Sequence, residues 1–188
     1  MNQETAVQYL KKKGTGQTMG KHLTKEELAQ CNNLFKSTDI ELCTKATLLT
    51  AFLMLNSTPD EKEWLDHCIK NASSILPNEL QVLITHKQPY SKLTELGLNV
   101  IQYKDCSAND IIEGLTYVMD PKVQNWEKAI FLEALRLKRE TETENKACLD
   151  FYNSHSQQWK SKLDHLVYLS NPFDGMSRHQ PLSIFIAP

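Results

Sequence analysis

The sequence lacks the devices that most readily announce a function. No charge sign dominates: 21 Lys and Arg stand against 23 Asp and Glu, a formal net charge of −2. No global basic field therefore points to nucleic acid or to an anionic membrane. No apolar run approaches the ~20 residues that span a bilayer, and the polar amino terminus has no signal-peptide core. The five cysteines, Cys31, Cys43, Cys68, Cys106 and Cys148, are odd in number and never spaced Cys-x-x-Cys. That spacing argues against a metal cluster and a disulfide framework alike. Several fall at apolar helical positions, where a reduced cysteine packs as a small hydrophobe. A reducing cytoplasm is the expected setting. No Ser or Cys sits in a nucleophile-elbow pattern, and His67, His86, His155 and His165 stand apart from metal-type partners.

What is present is helical patterning. Residues 3–12 predict a first helix with Ala6, Val7 and Leu10 on one side. Gly14-Thr15-Gly16 then makes a turn rather than a phosphate cradle, since no strand precedes it. Thr24 and Glu27 form a capping box ahead of the stripe Leu28, Cys31, Leu34 and Phe35. Asp39 is placed to cap a buried helix, Ile40 to Leu55. Thr58, Pro59 and Glu61 open another. In the middle, Gln81–Lys87 and Asn99–Lys104 are short β-branched runs that read as strands. Pro89–Leu96 reads as a helix closed by Gly97, giving a small βαβ insertion.

From Cys106 the pattern repeats at a shift of 83 places. Leu28 falls on Ile111, Phe35 on Val118, Lys45-Ala46 on Lys128-Ala129, Leu49 on Leu132 and Ala51 on Ala134. The caps correspond as well: Thr24/Glu27 with Ser107/Asp110, and Thr58/Glu61 with Thr141/Glu144. The expected fold class is mainly α with a small α/β part, helical units flanking the βαβ insertion. The boundaries are 1–75 for the first helical unit, 76–105 for the insertion, 106–160 for the second unit and 161–188 for a strand–loop–helix. Trp64, Trp126, Phe52, Phe131 and Leu132 are the core candidates.

The segments LKKKGTGQTMGKHLTKEEL and KATLLTAFLMLNSTPDE, with FLEALRLKRET at Phe131–Thr141, resemble the amino-terminal helical domain of the anthranilate phosphoribosyltransferase family of glycosyl transferases. The pattern covers about residues 10–65 and again 107–150. Pyrimidine nucleoside phosphorylases share that helical plan, but the FL-x-ALRLK-x-ET signature favours the transferases. The resemblance implies a homodimer through the helical domain. It also implies that Leu166–Leu169 is the strand before the family's glycine-rich phosphate loop. The loop candidates are Asn171, Asp174, Gly175, Arg178 and His179. Asp174-Gly175 is retained, but Pro172 offers no N–H and Phe173 puts a ring where a pyrophosphate would lie. Arg178 can meet an anion or pair with Asp174.

The following helix has barely begun at Pro188, so the chain reads as cut where its chemistry would start. No cofactor is expected in this chain. Magnesium and phosphoribosyl pyrophosphate belong only to a longer, active parent performing pentosyl transfer. The chain by itself is expected not to be catalytic. The alternative is a non-enzymatic dimerising or nucleic-acid-binding module, with Lys11, Lys12, Lys13, Lys21, Arg136 and Arg139 along one face. That alternative implies steep salt dependence. No membrane role is expected.

Overall fold

Side-chain caps set most helix starts in the computed structural model, which describes residues 2–16, 18–87 and 90–156. The protein is mainly helical, and its described helices belong to one compact unit, Met1–His155. Asn2 caps α1 (Gln3–Lys13), and the Thr24/Glu27 box opens α2 (Lys25–Lys36). Helix α3 (Leu42–Met54) has no side-chain cap. The Thr58/Glu61 box and Pro59 at the first helical position open α4 (Pro59–Lys70). Two single-turn helices, α5 (Ala72–Ile75) and α6 (Val82–Thr85), flank a 3-10 turn at Asn78–Gln81. Ser91 caps α7 (Lys92–Ile101), and the Ser107/Asp110 box opens α8 (Ala108–Met119). Helix α9 (Asn125–Lys138) precedes α10 (Glu142–His155), where Glu144 and Thr141 cap each other reciprocally.

Among the described residues the expected βαβ insertion is not seen, and neither expected strand forms: residues 81–85 and 99–101 are helical, and His86, Lys87 and residues 102–104 are turn or irregular. Gln81 ends the 3-10 turn and Val82–Thr85 form α6; Asn99–Ile101 are the last turn of α7. Their β-branched side chains fit a strand locally, but tertiary packing overrides that weak preference. Val82, Ile84 and Ile101 pack against a core as helical residues, and Val100 is fully buried. Gly97 does not close the helix. It lies inside α7, where an added Cβ would meet Ile130 Cγ2 at 2.9 Å, so its lack of a side chain admits α9. Two smaller expectations also change. Asp39 is exposed two residues before Glu41, which occupies the N-cap of α3. Leu132, expected in the core, is 40% exposed.

The 83-residue shift is a structural repeat. Lys25–Lys36 maps onto Ala108–Met119, Leu42 onto Asn125 at the start of α9, and Pro59 onto Glu142 at the start of α10. Finer features follow the same shift. Lys45 Nζ donates to Ser37 O at 2.5 Å beyond α2, and Lys128 Nζ to Asp120 O at 2.7 Å beyond α8. Helices α1 and α7 extend the correspondence upstream, each starting from a polar side-chain cap, although the α7–α8 connection is shorter than the α1–α2 connection.

The packing repeats too. Helix α1 lies on α3 as α7 lies on α9, and α2 meets α4 as α8 meets α10. The two central helices, α3 and α9, form the most extensive helix–helix contact. Helix α3 therefore serves two cores. Leu48, Leu49 and Phe52 enter the first, with α2 and α4, while Ala51 and Met54 enter the second, with α8 and α10. A helix buried on both sides must be apolar nearly all round, which LCTKATLLTAFLM is.

Candidate functional site

The expected loop residues Asn171, Asp174, Gly175, Arg178 and His179 lie outside the described residues. Half of the expected basic face, Lys12, Lys13 and Arg136, is paired with carboxylates. Lys12 Nζ is 2.5 Å from Glu27, and Arg136 pairs with Glu133 at 2.7 Å while also donating to Gly14 O. Lys13 is the clear correction. Lys13, expected along that basic face, is fully buried, because its position one turn beyond Tyr9 faces the core. Lys11, Lys21 and Arg139 are exposed. Lys11 and Arg136 do share one shallow depression of about 300 Å³, but Glu133 lines it as well.

The buried Lys13 ends in the first of two glutamate hubs. Its Nζ donates to Glu61 at 2.8 Å and to Asn56 O at 2.9 Å, and lies 5.3 Å from the Phe52 ring centroid. Glu61 also accepts from Leu23 N at 3.1 Å and Thr58 N at 3.1 Å, with His22 Nδ1 at 2.9 Å. Burial alone would raise the Glu61 carboxyl. The hydrogen bonds from Lys13, the two backbone amides and His22 outweigh it and hold the group below its ordinary value. One side chain thus ties together the ends of α1 and α4 and the approach to α2.

The second hub repeats the first at the same shift. Glu144 accepts from Cys106 N at 2.7 Å and Thr141 N at 2.7 Å, the counterparts of Leu23 and Thr58. Its cation is Lys138, at 2.8 Å, which comes from the end of α9 and also meets Asp105 at 2.7 Å. Burial pushes Glu144 up and its hydrogen bonds, led by Lys138, more than reverse that. For Lys138, burial pulls down while Asp105 and Glu144 pull up more strongly. Both hubs are fully satisfied, which is the signature of a structural clamp rather than a reacting group.

A different arrangement occurs at the cleft formed by the 3-10 turn, α6, the start of α7 and the start of α9. It is about 400 Å³ in volume, and Glu79, Thr85, Lys87, Tyr90, Trp126 and Glu127 are among its lining residues. Glu127 is only 8% exposed. One of its carboxylate oxygens accepts from Thr94 Oγ1 at 2.9 Å and from Ser91 Oγ. Sequence reasoning missed this residue. The available signal was the repeat itself, which sets Glu127 against Thr44, a neutral residue that accepts from Gln3 Nε2 at 2.7 Å.

The cysteines are free thiols, and burial pushes Cys68 up to about 12 and Cys106 up to about 11. That keeps both protonated and unreactive at neutral pH. Among the described residues no group of three or more His, Cys, Asp and Glu is placed to hold a metal ion. No described helix is long and apolar enough to cross a membrane. No family model, curated protein or solved structure matches the chain.

Proposed function

We propose that this chain is a helical association module of the anthranilate phosphoribosyltransferase-like glycosyl transferase type, which pairs with a second copy of itself through α8 and α10. Pentosyl or phosphoribosyl transfer, with magnesium and phosphoribosyl pyrophosphate, would belong to a longer parent. A reducing cytoplasm is part of the proposal and suits the buried free thiols. The observation that carries it is the outer face of the second repeat. Met119 on α8 is 64% exposed, and Leu149 and Tyr152 on α10 are 62% and 54% exposed. Ile112, one helical row from Met119, is exposed too. At the same places the first repeat carries Lys36 for Met119, Asp66 for Leu149 and Ala29 for Ile112, while Ile69, the counterpart of Tyr152, is an exposed apolar residue in the first repeat too. Grouped apolar side chains on adjacent helices mark an association surface more than a solvated one.

A second copy suits the charges around this face. Lys146 and Asp150 are exposed on either side of Leu149, one turn apart. A two-fold axis would set each lysine against the other copy's aspartate. The nucleic-acid alternative draws less support, because Lys12, Lys13 and Arg136 already face Glu27, Glu61 and Glu133. The test is light scattering of the whole chain after size exclusion, across a concentration series. The wild type should give a dimer mass, and Met119→Lys with Leu149→Asp, which copies the first repeat, should give the monomer. A monomeric wild type at every concentration would end the proposal.

A further inference from the structure

Among the described residues four glutamates are buried: Glu61, Glu127, Glu133 and Glu144. Three of them hold a protein cation within 2.8 Å, namely Lys13, Arg136 and Lys138. Among the described residues no lysine, arginine or histidine forms an ion pair with Glu127. Burying a carboxylate without a counter-ion is costly, and two hydroxyl donors on one oxygen offset only part of that cost. The positive end of α9 helps, since Glu127 is its third residue. It does not remove the discrepancy. Glu61 and Glu144 are the third residues of α4 and α10, and each still takes a lysine.

The second oxygen of Glu127 has no hydrogen-bond partner among the described residues and is open to solvent, and the residue lines an open cleft rather than closed core. Two aromatic rings, Trp126 and Tyr90, line the same cleft and are only partly buried against the first core. Aromatic faces beside a carboxylate are the common means of recognising an organic cation. Glu79 and Lys87 line the cleft as well, and Lys87 forms no ion pair with Glu127. We propose that this cleft binds a primary ammonium group, with Glu127 as its charge partner and Trp126 and Tyr90 as its walls. The ligand thus supplies the cation that lysine supplies at Glu61 and Glu144. The ammonium can come from a lysine side chain or from a free polyamine.

The test titrates the whole chain, labelled with nitrogen-15, with Nα-acetyl-lysine methylamide and with spermidine, following the indole N–H signal of Trp126. The form acetylated at Nε serves as the uncharged control. Saturable shifts are expected with one or both amines and not with the control. Tighter binding of the lysine derivative identifies a peptide side chain, and tighter binding of spermidine a free polyamine. Glu127→Gln keeps the hydroxyl contacts and should weaken binding by about tenfold to a hundredfold. In case that variant folds poorly, Glu79→Lys changes an exposed position and should weaken binding several-fold through repulsion. Absence of a saturable shift in the wild type, or binding as tight as the wild type's in both variants, would overturn the proposal.

Discussion

The two halves of this protein share a plan and differ in what they do with it. Both open α2/α8 and α4/α10 with capping boxes, and both gather a strand-less approach segment, a cap and a lysine around one buried glutamate. The first half closes most of its polar positions internally, with Gln3 on Thr44 and a fully enclosed Lys13, and leaves the Thr50 hydroxyl unpartnered. The second half is left open in three places. Lys138 reaches an exposed Asp105, Glu127 faces a cleft, and α8 and α10 expose Ile112, Met119, Leu149 and Tyr152 among polar neighbours. One set of packing rules can therefore support a closed structural half and an outward-facing half. The differences sit at side chains the shared scaffold does not constrain.

The comparison breaks most sharply at the hubs. Glu61→Ala would strand Lys13 in the core and should cost about 3–5 kcal/mol in urea unfolding. Glu144→Ala should cost less by about 1 kcal/mol, because Asp105 still faces Lys138. Equal losses would mean that the exposed carboxylate contributes nothing.

Next in size is the exchange of volume between the central helices and their neighbours. Repeat positions Cys31 and Leu48 become Gly114 and Phe131, and a Cβ on Gly114 would sit 2.3 Å from Phe131 Cζ. Gly114→Cys should therefore destabilise by about 1–3 kcal/mol through overpacking. Adding Phe131→Leu, which restores the first repeat's pair, should recover more than half of that loss in a double-mutant cycle. Additive losses would show that the pairs are not interchangeable.

Much of this architecture was legible in the sequence because it rests on local chemistry. Capping boxes need only residues three apart, and the stripe Leu28, Cys31, Leu34 and Phe35 is buried as its period requires. The failures are where distant contacts decide. Val82, Ile84, Val100 and Ile101 look like strand residues until α9 and the cores are present to pack them as helix. Gly97 looks like a helix stop until Ile130 requires the space. Lys13 looks solvated because its partner, Glu61, lies 48 positions away. The isolation of Glu127 is visible only once the other buried glutamates are seen with their cations.

Acid separates the halves less but tests the same hubs. Glu61 and Glu144 both titrate below their ordinary value in the folded protein. The stability they supply is present above the unfolded-state value and is lost as pH falls through the folded-state values. Urea midpoints should stay flat near neutrality and fall below about pH 4. Replacing both residues with Gln should flatten that acid limb. The smallest effect expected is at Thr50, fully buried on α3 with no hydrogen-bond partner for its hydroxyl. Thr50→Val should stabilise by about 1 kcal/mol in the same assay.

Amide hydrogen exchange of the whole chain at low and high protein concentration tests the central claim most directly. Self-association through the second half predicts added protection at high concentration on α8 and α10, with α2 and α4 unchanged. Protection that is independent of concentration, or that grows on α2 and α4 instead, would contradict the division of the molecule into a closed half and an outward-facing one.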